Sequence, residues 1–562
     1  MMDGINACSE SDRKKYARLR WWAGLTFGDI LDKAADVYPE KEAIVDEGAR
    51  FTYGELRDRT DRLAIGLADI GIAPQDRVLI QLPNWHEFVV AYFALQKIGA
   101  IPVILIARYR QYEINHLTKN SGATAWIVAE EFRRTDYTPI IEDVRRENPQ
   151  LTHIIVCRST TDHGYIRFED IIERTTADDD ARRRLADLRP DPERIAHMGP
   201  TGGTTGVPKI APHTHNSYLC KVEYSARASE FNQKTTCLVV LPAAHDLPFA
   251  NGVCATIFAC GKLVMSTATD PPGICRMIEQ EKVNTVVWVP TLTYRMLNDE
   301  RTNEYDLGSL ELIYCGAGVN TPELIRGALD KFQCTYLCGY GGTEGMLVTT
   351  RRQDVFETLC RSIGKPTCPY DHYKVIDENG RQLPPNHIGH LVVKGPSMFT
   401  GYHNMPEENA TAFTDDGYFQ TGDLAAMDET GYIRIAGRRK DTIRRCGESI
   451  FAPEIEKLIS DHPDVAAVAV IGVADPEMGE RVCAYIQPKK NSKLHFDQII
   501  DWLKSKGASV LQLPEMINFI KNMPLTPAGK VDKCYLKENK TNDEMSSSRR
   551  GKAAAKDDDC LI

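Results

Sequence analysis

Pro200-Thr201-Gly202-Gly203-Thr204-Thr205-Gly206-Val207-Pro208-Lys209 packs three glycines and three threonines into ten residues and closes on a lysine. The strand-like run Arg194–Met198 precedes it, so it reads as a loop leaving a strand end. Glycines let backbone N–H groups turn toward one point, threonine hydroxyls add neutral donors, and Lys209 adds a positive charge. Such a loop suits a polyphosphate, although a plain Gly/Thr surface turn has the same composition. It is not a Walker A loop, because Val207 and Pro208 separate Gly206 from Lys209.

Around this loop the chain alternates strand and helix. Apolar residues at helical spacing (Phe27, Ile30, Leu31, Ala34) mark a helix over 26–38, and a second runs from Tyr53 to about Ile70. Strands are expected at Arg77–Leu82, Ala123–Val128 and His153–Cys157, with helices at Phe88–Ile98 and Ile140–Arg146. That is the pattern of parallel βαβ units. The charged segment Asp178–Asp191 reads as a solvated helix and linker. Three more strands follow the glycine loop, at Thr285–Val289, Leu312–Tyr314 and Thr335–Cys338. In open parallel sheets ligands gather beyond the carboxyl ends of the strands, so the loops after them can share a crevice with 200–209.

Near Gly437 the character changes. A basic turn, Gly-Arg-Arg-Lys-Asp-Thr-Ile-Arg-Arg at 437–445, leads into a unit with a helix at Pro453–Ser460 and strands at Val465–Val473 and Arg481–Ile486. The expectation is a large domain over 1–438, a small one over 439–537, and a disordered Ser/Lys/Asp/Ala tail over 538–562. Cys560 is third from the end, where prenylation needs the fourth.

A net charge of −10 argues against a dedicated nucleic-acid or acidic-membrane surface and favours small-molecule chemistry. The 16 cysteines are scattered singly, which fits a reducing cytoplasm better than a metal or disulfide framework. The amino-terminal stretch has no apolar core of a signal peptide, and no apolar run reaches about 18 residues. The composition does not speak to oligomeric state.

Five further stretches can carry chemistry, each with an ordinary alternative. Gly339-Tyr340-Gly341-Gly342-Thr343-Glu344-Gly345 offers a carboxylate in a flexible loop, or is only a turn. Phe419-Gln-Thr-Gly-Asp423-Leu presents an aspartate that can hold a diol or cap a turn. Gly437–Glu456 carries Arg438, Lys440 and Gly447 and could be a solvated surface. Pro524–Lys533 places Lys530 at the tip of a Pro/Gly turn. Leu241–Asn251 sets His245 and Asp246 among apolar neighbours, where a buried, satisfied histidine is the default.

In this order and at these separations the set resembles the adenylate-forming superfamily of acyl- and aryl-CoA ligases, peptide-synthetase adenylation domains and luciferases. The resemblance spans roughly residues 20–537. Trp22-Ala-Gly-Leu-Thr-Phe-Gly28, Gln81-Leu-Pro-Asn84, Pro212-His-Thr-His215 and Leu241-Pro-Ala-Ala-His245 bring it nearest to the stand-alone ligases that adenylate 2,3-dihydroxybenzoate or salicylate in siderophore biosynthesis. It implies an α/β fold: a large amino-terminal domain of αβ-layered sheets and a small, mobile α+β carboxyl-terminal domain.

The implied reaction joins a carboxylate to the α-phosphate of ATP, giving an acyl-adenylate and pyrophosphate, and then transfers the acyl group to a thiol. Both first reactants are anions, so positive charge and aligned donors must offset their repulsion. By this likeness Thr201, Gly202, Gly203, Thr204, Thr205, Gly206 and Lys209 hold the β- and γ-phosphates. Thr343 and Glu344 hold the α-phosphate and Mg²⁺. Gly316-Ala317-Gly318, Tyr340 and Gly341 flank the adenine, while Asp423 and Arg438 take the ribose. Lys530 bridges the substrate carboxylate and the α-phosphate. Lys440 is the hinge of a small domain that rotates after adenylation, and Gly447 lines the thiol tunnel.

The acid pocket implied is His245, Asp246, Leu247, Asn251 and Gly339, with His245 also counted among the catalytic groups. Three of these depart from the dihydroxybenzoate pattern, which has asparagine at 246, serine at 251 and valine at 339. An anionic Asp246 disfavours a phenolate and welcomes an amino group, and Gly339 leaves a roomier pocket. The expected substrate is therefore an aryl carboxylic acid, with amino- or hydroxybenzoates leading. The acceptor is the phosphopantetheine of a carrier protein; alternatives are an aryl-acid CoA ligase and an inactive nucleotide-binding homologue.

Overall fold

The computed structural model describes residues 9–161, 163–201, 208–438, 442–445, 448–475, 479–490, 492–506, 508, 512–525 and 531–538. The chain divides into two compact units. The first comprises Met1–Tyr373, Val393–Phe419 and Gly431–Ile433; the second gathers Lys374–Val392, Gln420–Thr430 and everything from Arg434 onward. Asp423 thus belongs to the second unit.

Two sheets build the first unit. One has seven strands in the order Ile210–Thr214, Ile195–Pro200, Ile101–Ile104, Arg77–Gln81, Ala125–Ala129, His153–Cys157 and Ile166–Arg167. All its neighbours run parallel except the first pair, an antiparallel hairpin whose connection is the Gly/Thr loop. The other has nine strands, its centre the parallel run Thr335–Gly341, Leu312–Gly316, Thr285–Trp288, Thr236–Val239, Lys262–Met265 and Glu42–Val45.

Strands covered on both faces need continuous apolar sequence, and Val286–Trp288 and Leu312–Cys315 have it. One apolar core joins the two sheets through helices Phe27–Val37, Tyr53–Asp69 and His86–Lys97. All twelve residues of His86–Lys97 are buried, which explains why its sequence is apolar around its whole circumference. A second cluster covers the far face of the nine-stranded sheet with helices Pro271–Glu281, Pro290–Asn298 and Pro322–Phe332. Each of these three has proline in its first turn, where the missing N–H leaves no bond unmade.

In the second unit a five-stranded sheet is centred on the antiparallel pair Val465–Asp475 and Gly479–Pro488, and Met516–Phe519 joins it in parallel. Helices Ala452–Ser460 and Phe496–Ser505 bury Ile455, Ile459, Ile499 and Leu503 against it. The stretch read as a basic turn at 437–445 is largely strand, Ile433–Arg438 and then Thr442–Arg445. Ile443, in the second of these strands, is buried, an apolar position that the surrounding charge in the sequence obscured. A four-stranded sheet, in the order His372–Ile376, Gly389–Lys394, Phe419–Met427 and Ile433–Arg438, holds Asp423. The tail from 539 onward lies outside the described residues.

Candidate active site

Strand Ile195–Pro200 delivers Thr201, whose N–H donates to the Lys209 carbonyl at 2.8 Å and closes the glycine loop at its base. Gly202, Gly203, Thr204, Thr205 and Gly206 lie outside the described residues. Lys209 stands with Nζ 4.8 Å from the ring centroid of Tyr402, and the Tyr402 hydroxyl donates to Glu344 Oε1 at 2.8 Å. A cation on one face of a phenol and a carboxylate at its tip place Lys209 and Glu344 in one group. Burial pushes the Glu344 carboxyl up, and the Tyr402 hydrogen bond pulls it partly back.

Backbone contacts hold the Gly342–Gly345 turn in place. His213 Nε2 lies 2.6 Å from the Thr343 carbonyl, so this nitrogen carries the proton and donates. Burial lowers the His213 ring to about 4, which keeps it neutral. A Cβ on Gly199 would sit 2.6 Å from Thr343 Cγ2, so only glycine lets the loop-bearing strand pass this close. Gly345 has φ +110°, in the left-handed region. His215 is likewise structural: buried, lowered to about 3, it accepts from the Phe27 N–H at 3.2 Å.

Gly316 and Gly339 are register partners on adjacent parallel strands. The turn after Gly316 puts Ala317 at φ +60° and sets Gly318 so that a Cβ would lie 3.0 Å from Pro290 Cγ. Ala317 and Gly318 are exposed, as is Gly341, while Tyr340 is half-buried with its hydroxyl 3.8 Å from Met346 Sδ. Asp423 is buried at 2 % exposure, with its own N–H donating to Thr421 Oγ1 at 3.1 Å. The side chain of Arg438, and Lys440, Gly447 and Lys530, lie outside the described residues.

Two expectations about the acid pocket change. Asp246 is not an isolated anion: Lys221, whose side chain is 0 % exposed, bonds its two oxygens at 3.0 and 2.8 Å. The Tyr218 hydroxyl donates to Asp246 Oδ1 at 2.9 Å, and Lys221 also donates to the Gly342 carbonyl at 3.0 Å. Charge is therefore cancelled where a bare carboxylate was expected. Nor does Gly339 leave an open space, because a Cβ there would lie 2.6–2.8 Å from Cε1, Cζ and the hydroxyl oxygen of Tyr314. The tyrosine ring has taken the volume that a side chain at 339 would fill.

His245 is exposed; it caps the short helix Asp246–Pro248, its Nδ1 3.4 Å from the Leu247 N–H. Asn251 sits in the π-helical turn Phe249–Cys254, a local widening often found at functional sites. Its Oδ1 accepts from Ser225 at 2.6 Å and its Nδ2 donates to the Leu247 carbonyl at 2.9 Å, so both ends of the amide are engaged. Asn84 clamps the strand end that feeds this segment: Nδ2 reaches the carbonyls of Val239, Leu241 and Ser266, and Oδ1 accepts from the Ala243 N–H.

Sequence reasoning missed Gly199, Tyr218, Lys221, Tyr314 and Tyr402. Only Lys221 left a readable signal, as a lysine three residues after Tyr218 on the buried face of helix His215–Ala228.

The AMP-binding enzyme family matches residues 31–403, and the AMP-binding enzyme C-terminal domain matches 454–530. A 2,3-dihydroxybenzoate-AMP ligase of Bacillus subtilis (strain 168) is 32% identical over 539 residues, 96% of this chain and 98% of the relative. A salicylyl-CoA synthase / salicylate adenylyltransferase of a Streptomyces species is 32% identical over 526 residues, 93% and 95% of the two chains. Among solved structures, ATP-bound MatB from Rhodopseudomonas palustris superposes with a TM-score of 0.80 at 25% identity, covering 92% of this chain and 99% of the other. With the family spanning most of its length, the chain belongs to the AMP-binding enzymes and is an adenylate-forming ligase that uses ATP.

Proposed function

We propose that this ligase activates an aryl carboxylic acid, a ring-substituted benzoate, and passes the aroyl group to the phosphopantetheine thiol of a carrier protein. In the first step a carboxylate oxygen of the acid bonds to the α-phosphorus of ATP as the α–β bridge breaks and pyrophosphate leaves. In the second the thiol sulfur attacks the acyl carbon, AMP leaves, and the thiol proton is lost. One observation carries the reading: a half-buried Glu344 tied through Tyr402 to Lys209 lies beside an acid pocket in which Lys221 cancels Asp246. The relatives, named for aryl acids, supply the substrate class.

The residues fit a magnesium ion. The Glu344 carboxyl is desolvated, which raises its proton affinity, so a hard cation would restore its charged form. Glu344 and Thr343 would hold Mg²⁺, which supplies charge neutralisation on the phosphates. Lys209, drawn against Tyr402, offers its charge to the departing pyrophosphate. His213, neutral and donating to the Thr343 carbonyl, keeps that turn in position and takes no proton from substrate. The family likeness gives Asp423 and Arg438 the ribose, Lys530 the carboxylate and α-phosphate, Lys440 the hinge and Gly447 the thiol passage.

ATP–pyrophosphate exchange across benzoates, anthranilates, picolinates and aliphatic acids tests the first step, with aryl acids expected to lead. A preference for fatty acids would overturn the aryl reading. The salicylyl-CoA relative favours a second reading in which free CoA is the acceptor. Supplying CoA and holo carrier protein in parallel separates the two by which one becomes acylated.

A further inference from the structure

Tyr314 is 1 % exposed, and its hydroxyl finds no hydrogen-bond partner among the described residues. An unpaired phenol at that depth carries a desolvation penalty unless something satisfies it. Its position is defined by its neighbours. The oxygen lies 2.7 Å from where a Cβ on Gly339 would stand, on the face of the sheet where Leu247 Cδ1 comes within 3.1 Å of the Cβ position of Gly316. It is close enough to Asp246 to feel that charge, yet Asp246 bonds Tyr218 and Lys221 instead.

We propose that Tyr314 is a specificity-determining residue of the acid pocket: its hydroxyl, reaching through the space left by Gly339, hydrogen-bonds a neutral hydroxyl or amino substituent on the ring of the aryl acid. The inference rests on the aryl-acid reading above and narrows it. Because Lys221 cancels Asp246, the lining favours neither a phenolate nor an ammonium, and a substituent that can both donate and accept matches a phenol that can do both. A bare benzoate would leave the Tyr314 oxygen unsatisfied, and a recognition site built around a polar group rejects an analogue lacking it.

The test is pyrophosphate exchange by the full chain and by Tyr314→Phe, on benzoate and its 2-, 3- and 4-hydroxy and amino derivatives. The readout is kcat/KM for each derivative divided by that for benzoate. Tyr314→Phe is expected to lower this ratio about tenfold for the isomers whose substituent meets residue 314, chiefly through KM, and to leave the other isomers' ratios alone. A uniform fall for all acids, or no change in any ratio, would overturn the proposal, the second outcome meaning that buried water satisfies the phenol. Gly339→Val should displace the ring and depress exchange with every benzoate, and Gly339→Val with Tyr314→Ala should recover part of the loss. Wild-type behaviour from Gly339→Val alone would also overturn it. A wild-type enzyme that prefers fatty acids defeats the aryl reading and this inference together; unchanged ratios in a benzoate-using enzyme defeat this inference alone.

Discussion

The nucleotide end and the acid end of the first unit are built on opposite plans. At the nucleotide end the chain relies on backbone: a loop closed by Thr201 and Lys209, a turn held through the Thr343 carbonyl, and glycines at 199 and 345 that let segments pass closely. At the acid end it relies on side chains bonded to one another, with Asp246, Lys221, Tyr218, Asn251 and Ser225 engaged before any ligand arrives. Phosphates vary little among substrates, so a backbone cradle serves any of them, whereas an acid pocket must differ from one enzyme to the next. Side chains are the part of a protein that can be exchanged without moving the frame.

This contrast can be broken by experiment, beginning where the effect is largest. Lys221→Met leaves Asp246, whose side chain is 12% exposed, without its cation and should destabilise the chain by about 3 kcal/mol in denaturant unfolding; a loss within the scatter of surface mutations would show that the pair is solvated. Glu344→Gln should lower kcat/KM for exchange by roughly 10²–10³ with every acid alike. A loss that depended on the acid would mean that the two ends are not separable.

Asn84→Ala removes bonds to three carbonyls and one N–H around the strand end that feeds His245. It should cost about 1–3 kcal/mol of stability and raise KM for the acid more than for ATP. An equal rise in both would break the division. The smallest effect is expected from Tyr402→Phe. The lost hydrogen bond is one that lowers the Glu344 carboxyl, so its proton affinity rises further and the acid limb of the pH–rate profile moves to higher pH. Activity at pH 6 relative to pH 8 should fall; an acid limb that moved down would assign that limb to another group.

How far the sequence could be read follows the same line. Helix Phe88–Ile98 is found at His86–Lys97, and strand Ala123–Val128 at Ala125–Ala129, because apolar period and glycine stops are local signals. Glycine-rich motifs such as 339–345 were equally legible, since close approach demands one residue type. Strand Ile210–Thr214 escaped notice because Pro212 and His213 lack strand character and the hairpin is made by pairing with Ile195–Pro200. Tyr402 is 58 residues from the carboxylate it holds, and no local pattern links them. Tyr314 sits in an apolar strand where an aromatic residue reads as core, and the fact that its hydroxyl has no partner among the described residues exists only in three dimensions.

Lys221 reaches both Asp246 and the carbonyl of Gly342. For anyone redirecting this enzyme to a new acid, that one ammonium sets the unit of change. Replacing Asp246 alone strands a buried cation against the turn that carries Glu344, so a pocket variant designed for a new ring would damage the nucleotide end it was meant to spare. Residues 221 and 246 have to be exchanged as a matched pair, and a library that varies only the pocket wall will sample mostly inactive chains.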